Sequence, residues 1–193
     1  MFAWGTFLLY AFVTSITPGP NNIMSMSLGI RLGFLRTLRF NCGALIGYTT
    51  VMLMCAFLCN TLNDLIPQIR LPMLIAGTLY LVWLAWKIYN TTYSTDPKND
   101  DKVNPFLIGL TLQFVNVKIW FAGIVAMQLF IIPNYHDPLT LSFFSFLLAF
   151  IGVSCQLVWS GFGSLCAKLF ARYTKPINII LALSLLYCAY TFW

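Results

Sequence analysis

The sequence predicts an all-α integral membrane protein with six transmembrane helices. Of its 193 residues, 60% are hydrophobic and 8% are charged, and glutamate does not occur. A soluble domain carries about 25% charged residues, so there is too little polar surface here to keep a globule in water. Six apolar runs approach or exceed the roughly 20 residues that a helix needs to cross the hydrocarbon. The basic residues gather in alternate loops between those runs.

The first run covers residues 2–29 and is interrupted by Thr17-Pro18-Gly19-Pro20-Asn21-Asn22. Pro18 and Pro20 each remove an amide donor and clash with the preceding turn. Gly19 loosens the chain further, so the helix is predicted to break at 18–20. Thr17 and the Asn21-Asn22 pair are expected to supply substitute hydrogen bonds or to cap a helix restarting after Pro20. The plainer alternative is a proline kink satisfied by its neighbours, but this stretch is far denser than a single proline. Irregular backbone survives in hydrocarbon only beside protein or a watery cavity. A half-helix N-terminus near mid-membrane offers free amides and partial positive charge, which suit a carboxylate. No charge precedes Arg31, so this run lacks the basic start of a signal peptide and is read as retained.

The second run is 40–59, and the third is 71–86, bracketed by Arg70 and Lys87. The polar segment 91–104 follows. The fourth run, 106–132, starts well: Asn104 is a capping residue and Pro105 suits the first helical position. It carries Gln113, Asn116 and Lys118. Gln113 and Asn116 are three apart and share a helical face. Lys118 lies 13 residues beyond Pro105, roughly 20 Å along the axis. A lysine at that depth costs on the order of 3 kcal/mol. Its stem can snorkel toward the interface, or its ammonium can face the interior and meet a partner. No run contains Asp or Glu, so an anionic ligand group is a candidate for that partner. The fifth run is 140–165 and the sixth is 176–193.

Orientation follows from the loops. Arg31, Arg36 and Arg39 lie between runs one and two, Lys87, Lys98 and Lys102 between three and four, and Lys168, Arg172 and Lys175 between five and six. The opposite loops hold only Arg70. Positive residues stay cytoplasmic, which puts both termini in the periplasm. The net charge of +6 is thus explained by topology and the lipid bilayer, and no nucleic-acid partner is expected. The chain reads as one transmembrane domain over 1–193. A first three-helix half, 1–90, and a second, 105–193, are joined by the cytoplasmic linker 91–104. Odd-numbered halves enter the membrane in opposite senses, as in the 3+3 inverted-topology repeats of many transporters. Each half then leads with a polar or interrupted helix. Thr17, Pro18, Gly19, Pro20, Asn21 and Asn22 from one, and Gln113, Asn116 and Lys118 from the other, are expected to line a substrate site near the midplane.

Other features read as packing. Gly29 with Gly33, Gly43 with Gly47, and the patch Ser160, Gly161, Gly163 and Ser164 favour close helix approach, although Gly29 and Gly33 also suit a helix exit. Cys42, Cys55, Cys59, Cys155, Cys166 and Cys188 lie in apolar runs and read as small buried hydrophobes, with no disulfide framework. Trp4, Trp193 and tyrosines near the run ends suit an aromatic belt. Gln128 and Gln156 either line a path or hydrogen-bond between helices. His136, beside Asp137 in an outer loop, supports no metal site.

"TPGPNN" in the first run, six helices split three and three, and Asn-x-Lys in the fourth resemble the LysE/RhtB family of bacterial amino-acid exporters. The resemblance covers essentially the whole chain. "LQFVNVKI", "YLVWLAWKI" and "NIILALSLLYCAYTFW" are especially similar to its cysteine/O-acetylserine exporter subgroup. It implies export of small amino acids or derivatives across the bacterial inner membrane. It also carries over Pro18, Gly19, Pro20, Asn21 and Asn22 as one motif and Asn116 and Lys118 as the other. Many family members have Asn-Pro-Lys where this chain has Asn116-Val117-Lys118, which leaves open whether the fourth helix is broken.

The expected function is therefore a secondary transporter working by alternating access, not an enzyme, with no cofactor. Oligomeric state and coupling ion are left open. A nucleotide-driven pump would need a phosphate-binding glycine loop, which the sequence lacks. A membrane thiol-disulfide electron-transfer protein needs two cysteines that can meet, and neither interrupted segment holds one. A metal-efflux permease needs His or carboxylate ligands in the runs, and none occurs there.

Overall fold

A computed structural model describes residues 2–61, 66–90, 104–167 and 172–190. The described residues form helices joined by short turns. The first run is two helices, α1 (Trp4–Ile16) and α2 (Pro20–Leu32), separated at 17–19. Gly19 is extended, with φ −169° and ψ 175°, and Pro20 occupies the first helical position of α2, where a missing amide hydrogen costs nothing. The break at 18–20 is thus as predicted. Its cap is Gly19, however, and no side chain caps α2. Asn21 and Asn22 lie inside the helix, already committed to other partners.

α2 ends at Gly33, whose φ of 77° is in the left-handed region that favours glycine, and whose amide donates to Gly29 O at 3.1 Å. The chain turns at once into α3 (Phe34–Thr61), which starts six residues before the predicted 40–59. α4 (Ile66–Tyr89) is likewise longer than the predicted 71–86.

α5 (Pro105–Val115) begins at Asn104, whose side-chain oxygen accepts from Phe106 N at 3.1 Å and Leu107 N at 3.5 Å. The fourth run is also broken. α5 stops at Asn116, α6 (Val117–Ala126) follows and continues as a π turn, Met127–Ile131, and the two pieces are bent by 59°. No proline is needed. Asn116 is extended, with φ −84° and ψ 93°, and the Trp120 indole N–H donates to Phe114 O at 2.9 Å, satisfying a carbonyl released at the end of α5. This break also corrects the expectation that Gln113 and Asn116 share one helical face.

α7 (Pro138–Leu165) is capped by Asp137, whose Oδ2 accepts from Thr140 N at 2.8 Å. Hydrogen bonds from Thr140 hold that carboxyl below the usual carboxylate range. α8 (Thr174–Tyr190) is the last helix described. α3, α7 and the bent α5–α6 pair are each long and apolar enough to cross a bilayer.

α3 packs against α5, α6 and α7, α7 packs against α1 and α2, and α4 packs against α8. One apolar cluster gathers Phe7, Met52, Trp120 and Phe144, and a second gathers Ile23, Phe40, Leu112 and Leu185. Large apolar side chains such as Leu35, Leu79, Leu129 and Leu165 point outward, as a lipid-facing surface requires. The glycine pairs divide. At Gly43, Gly47 and Gly109 an added Cβ would overlap backbone of the facing helix, which holds α3 and α5 backbone to backbone. Gly29 and Gly163 do the same between α2 and α7, but Gly161 meets nothing closer than Phe34, at 3.9 Å. Cys55, Cys59 and Cys155 are buried as expected, whereas Cys42 is exposed on the outer face of α3. Residues 91–103, Lys168 and Trp193 lie outside the described residues.

Candidate functional site

The two breaks meet. Asn21, in the first turn of α2, donates from Nδ2 to Gln113 Oε1 at 2.6 Å. Asn21 Oδ1 accepts from Gln113 Nε2 at 3.4 Å and from Asn116 Nδ2 at 3.1 Å. Gln113 Nε2 also donates to Gly109 O at 2.7 Å, which anchors the amide on its own helix. All three side chains are buried. Buried amides bonded to one another specify one register between α2 and α5, because each would otherwise carry the cost of an unmade hydrogen bond.

On the other side of the break, Asn22 Nδ2 donates to Ser15 O at 2.7 Å and Thr17 O at 2.9 Å. Asn22 therefore serves the C-terminal carbonyls of α1, not the N-terminal amides of α2. Lys118, in the first turn of α6, reaches the same place. Its Nζ donates to Thr17 Oγ1 at 2.9 Å, Thr17 O at 3.0 Å and Pro18 O at 3.5 Å. The lysine stem lies over Gly19, where an added Cβ would stand 3.1 Å from both Cδ and Nζ. Lys118 thus faces the interior, as one of the two readings had it. Its partners are backbone carbonyls and a hydroxyl, and they hold a half-buried cation. The C-terminal end of α1 is electronegative and attracts it.

Gly19, Pro20, Asn21, Asn22, Asn116 and Lys118 line one cleft, and Thr14, Ser15, Tyr48, Ile119, Ala122, Gly152 and Gln156 complete it. It is a narrow cleft that holds about 350 Å³ of space, part of it open to the outside. Of the predicted residues, Thr17 and Pro18 sit beside the cleft through Lys118, and Gln113 stands behind it, buried against Asn21. Gln128 is exposed on the π turn and does not line it. Thr14, Ser15 and Tyr48 were not singled out from sequence. A hydroxyl in an apolar run is common, and nothing in the local pattern marks these three.

The contacts that flank the cleft differ between its two sides. On the side of α5 and the C-terminal part of α2 they are glycine-mediated backbone contacts and a buried polar cluster. In that cluster Ser25 Oγ donates to Gln156 O at 3.0 Å, and Asn41 Nδ2 donates to Ser160 Oγ at 3.4 Å. On the side of α1 and α6 they are ring contacts: Phe7 packs edge-on against Phe130 and Phe144 at 5.9 and 5.4 Å, and the Tyr10 hydroxyl donates to Ala122 O at 3.0 Å.

Comparison with known proteins gives a consistent picture. The LysE type translocator family profile matches residues 12–193. A cysteine/O-acetylserine efflux protein of Salmonella typhi is 39% identical over 187 residues, covering 95% of this chain and 93% of the relative. Proteins of the same description from Klebsiella pneumoniae subsp. pneumoniae and Escherichia coli O157:H7 are 39% and 38% identical over the same shares. No solved structure matches.

Proposed function

This chain belongs to the LysE type translocator family, and we propose that it is a secondary transporter exporting a small amino acid or derivative, such as cysteine or O-acetylserine, from cytoplasm to periplasm. The observation that carries the reading is the convergence of two helix breaks on one cleft, with Asn21 bonded to Gln113 and Asn116 and Lys118 laid over Gly19. In that cleft the α-carboxylate of an amino acid meets the ammonium of Lys118 and the amide end of α2.

The same reading takes the chain as a multi-pass protein of the bacterial inner membrane. It has six spans in two inverted three-helix halves, 1–90 and 105–193, a cytoplasmic linker and periplasmic termini. Two things support it. The basic residues divide nine to one between the two sets of loops. Exchanging α1–α2 with α5–α6, α3 with α7 and α4 with α8 also carries the packing of α3 on α5–α6 onto that of α7 on α1–α2, and leaves the α3–α7 and α4–α8 packings in place, although the contact of α2 with α3 has no counterpart. Ring contacts on one side of the cleft and backbone contacts on the other support alternating access, in which one side opens while the other is sealed. Thiol exchange is disfavoured because the cleft lining includes no cysteine.

The test is counterflow in proteoliposomes loaded with a panel of amino acids that includes cysteine and O-acetylserine. The proposal expects exchange of small zwitterions. Exchange of none of the panel by correctly inserted protein overturns it.

A further inference from the structure

A zwitterion brings an ammonium as well as a carboxylate, and the described lining of the cleft includes no carboxylate. The chain's five side-chain carboxylates are Asp137, which caps α7, and Asp64, Asp96, Asp100 and Asp101, which fall outside the described residues and outside every apolar run. The oxygens that this described lining offers to an ammonium are neutral. Among the described residues, the side-chain oxygens of Asn116 and Gln156 are buried without a hydrogen-bond partner, and both residues line the cleft. They are 2% and 1% exposed. A buried carbonyl with no partner is costly, and a site that binds a donor recovers that cost. Most polar groups near the cleft are already committed: Asn21, Asn22, Lys118 and the Thr14 hydroxyl all have partners.

Resting on the exporter reading above, we propose that Asn116 Oδ1 and Gln156 Oε1 form the ammonium subsite of the cleft, with Gln156 determining specificity for α-amino acids over their N-blocked counterparts. Asn116 is tied through Nδ2 to Asn21, and so holds its oxygen in place from the break itself. Gln156 reaches the cleft from α7, so the two oxygens approach the ammonium from different helices. The carboxylate end is then set by Lys118 and the start of α2. Such a site accepts a primary ammonium and rejects an amide nitrogen, which has one hydrogen and no charge. Binding here requires the narrow cleft to widen.

The probe pair is O-acetylserine and its isomer N-acetylserine, which have the same atoms but differ in the presence of a free ammonium. Both compete against counterflow of labelled O-acetylserine in proteoliposomes. Wild-type protein is expected to prefer the O-isomer by at least about tenfold, about 1.4 kcal/mol. Gln156→Met keeps the side-chain length and removes the oxygen. It should lower that preference by about tenfold, mainly through weaker binding of the O-isomer. Gln156→Glu should keep or raise the preference. An unchanged preference in Gln156→Met, or equal loss for both isomers, overturns the subsite while leaving export intact. If Gln156→Met fails to insert, Gln156→Glu decides, because a lowered preference there also overturns it. Wild-type protein that moves O-acetylserine without preferring it overturns the subsite alone. If O-acetylserine is not moved, the amino acid that the panel shows to be exchanged and its N-acetyl derivative replace the pair, and exchange of none of the panel removes the exporter reading as well.

Discussion

The ammonium of Lys118 lies 2.9 Å from the hydroxyl of Thr17 and 3.0 Å from its carbonyl oxygen, so the second break's cation closes the C-terminal end of the first break's leading helix. This one relationship spans the two halves of the sequence, 101 residues apart. It explains how a lysine persists at depth in an apolar chain, since its charge is met by the dipoles that the first break exposes. Each break thus supplies what the other lacks, and neither is stable in hydrocarbon alone.

Asn21 and Gln113 should be energetically coupled. Their amides bond reciprocally in a buried setting, so each single alanine substitution leaves the other amide short of a partner. A double-mutant cycle read by thermal unfolding in detergent is expected to give a coupling of about 0.5–3 kcal/mol. Strict additivity would mean that the pair does not hold α2 to α5.

Pro18 and Pro20 play different parts. Pro20 fits the start of α2, and Pro18 stands where continuing α1 would require a helical amide donor. The double variant Pro18→Ala, Pro20→Ala should insert normally and lose most counterflow, because the pressure to break the helix is relieved. Counterflow at the wild-type rate would show that the break is held by its partners alone.

Gly109 and Gly161 make a matched comparison. An added methyl at Gly109 runs into Phe40 backbone, whereas at Gly161 its nearest neighbour is a ring atom of Phe34 at 3.9 Å. Gly109→Ala should destabilise by about 1–3 kcal/mol through forced separation of α3 and α5. Gly161→Ala should stay within about 0.5 kcal/mol of wild type. Thermal unfolding of both variants measures the difference.

Much of this arrangement was legible in the sequence. The proline-glycine-proline run locates the first break because those residues forbid a helix wherever they occur. Asn104-Pro105 locates the start of α5 for the same local reason. The break at Asn116 was not legible, since Asn-Val-Lys tolerates a helix. What ends α5 there is tertiary, namely the Asn116 bond to Asn21 and the Trp120 indole on Phe114 O. The role of Asn22 was missed for a related reason. An asparagine after a proline suggests a cap for the helix it begins, while the carbonyls it serves belong to the helix before. Tyr48 and Ser15 reach the cleft only through the packing of α1, α3 and α7, which no local spacing records.

The central claim is that Lys118 at the meeting of the two breaks handles the substrate's carboxylate. Its most direct measurement is counterflow by Lys118→Met in proteoliposomes, with insertion and thermal stability followed in the same preparation. Methionine keeps most of the stem over Gly19 and removes the charge. The account predicts inserted protein whose counterflow falls by about 100-fold or more, the equivalent of about 2.7 kcal/mol. Counterflow at the wild-type rate from inserted Lys118→Met would contradict it.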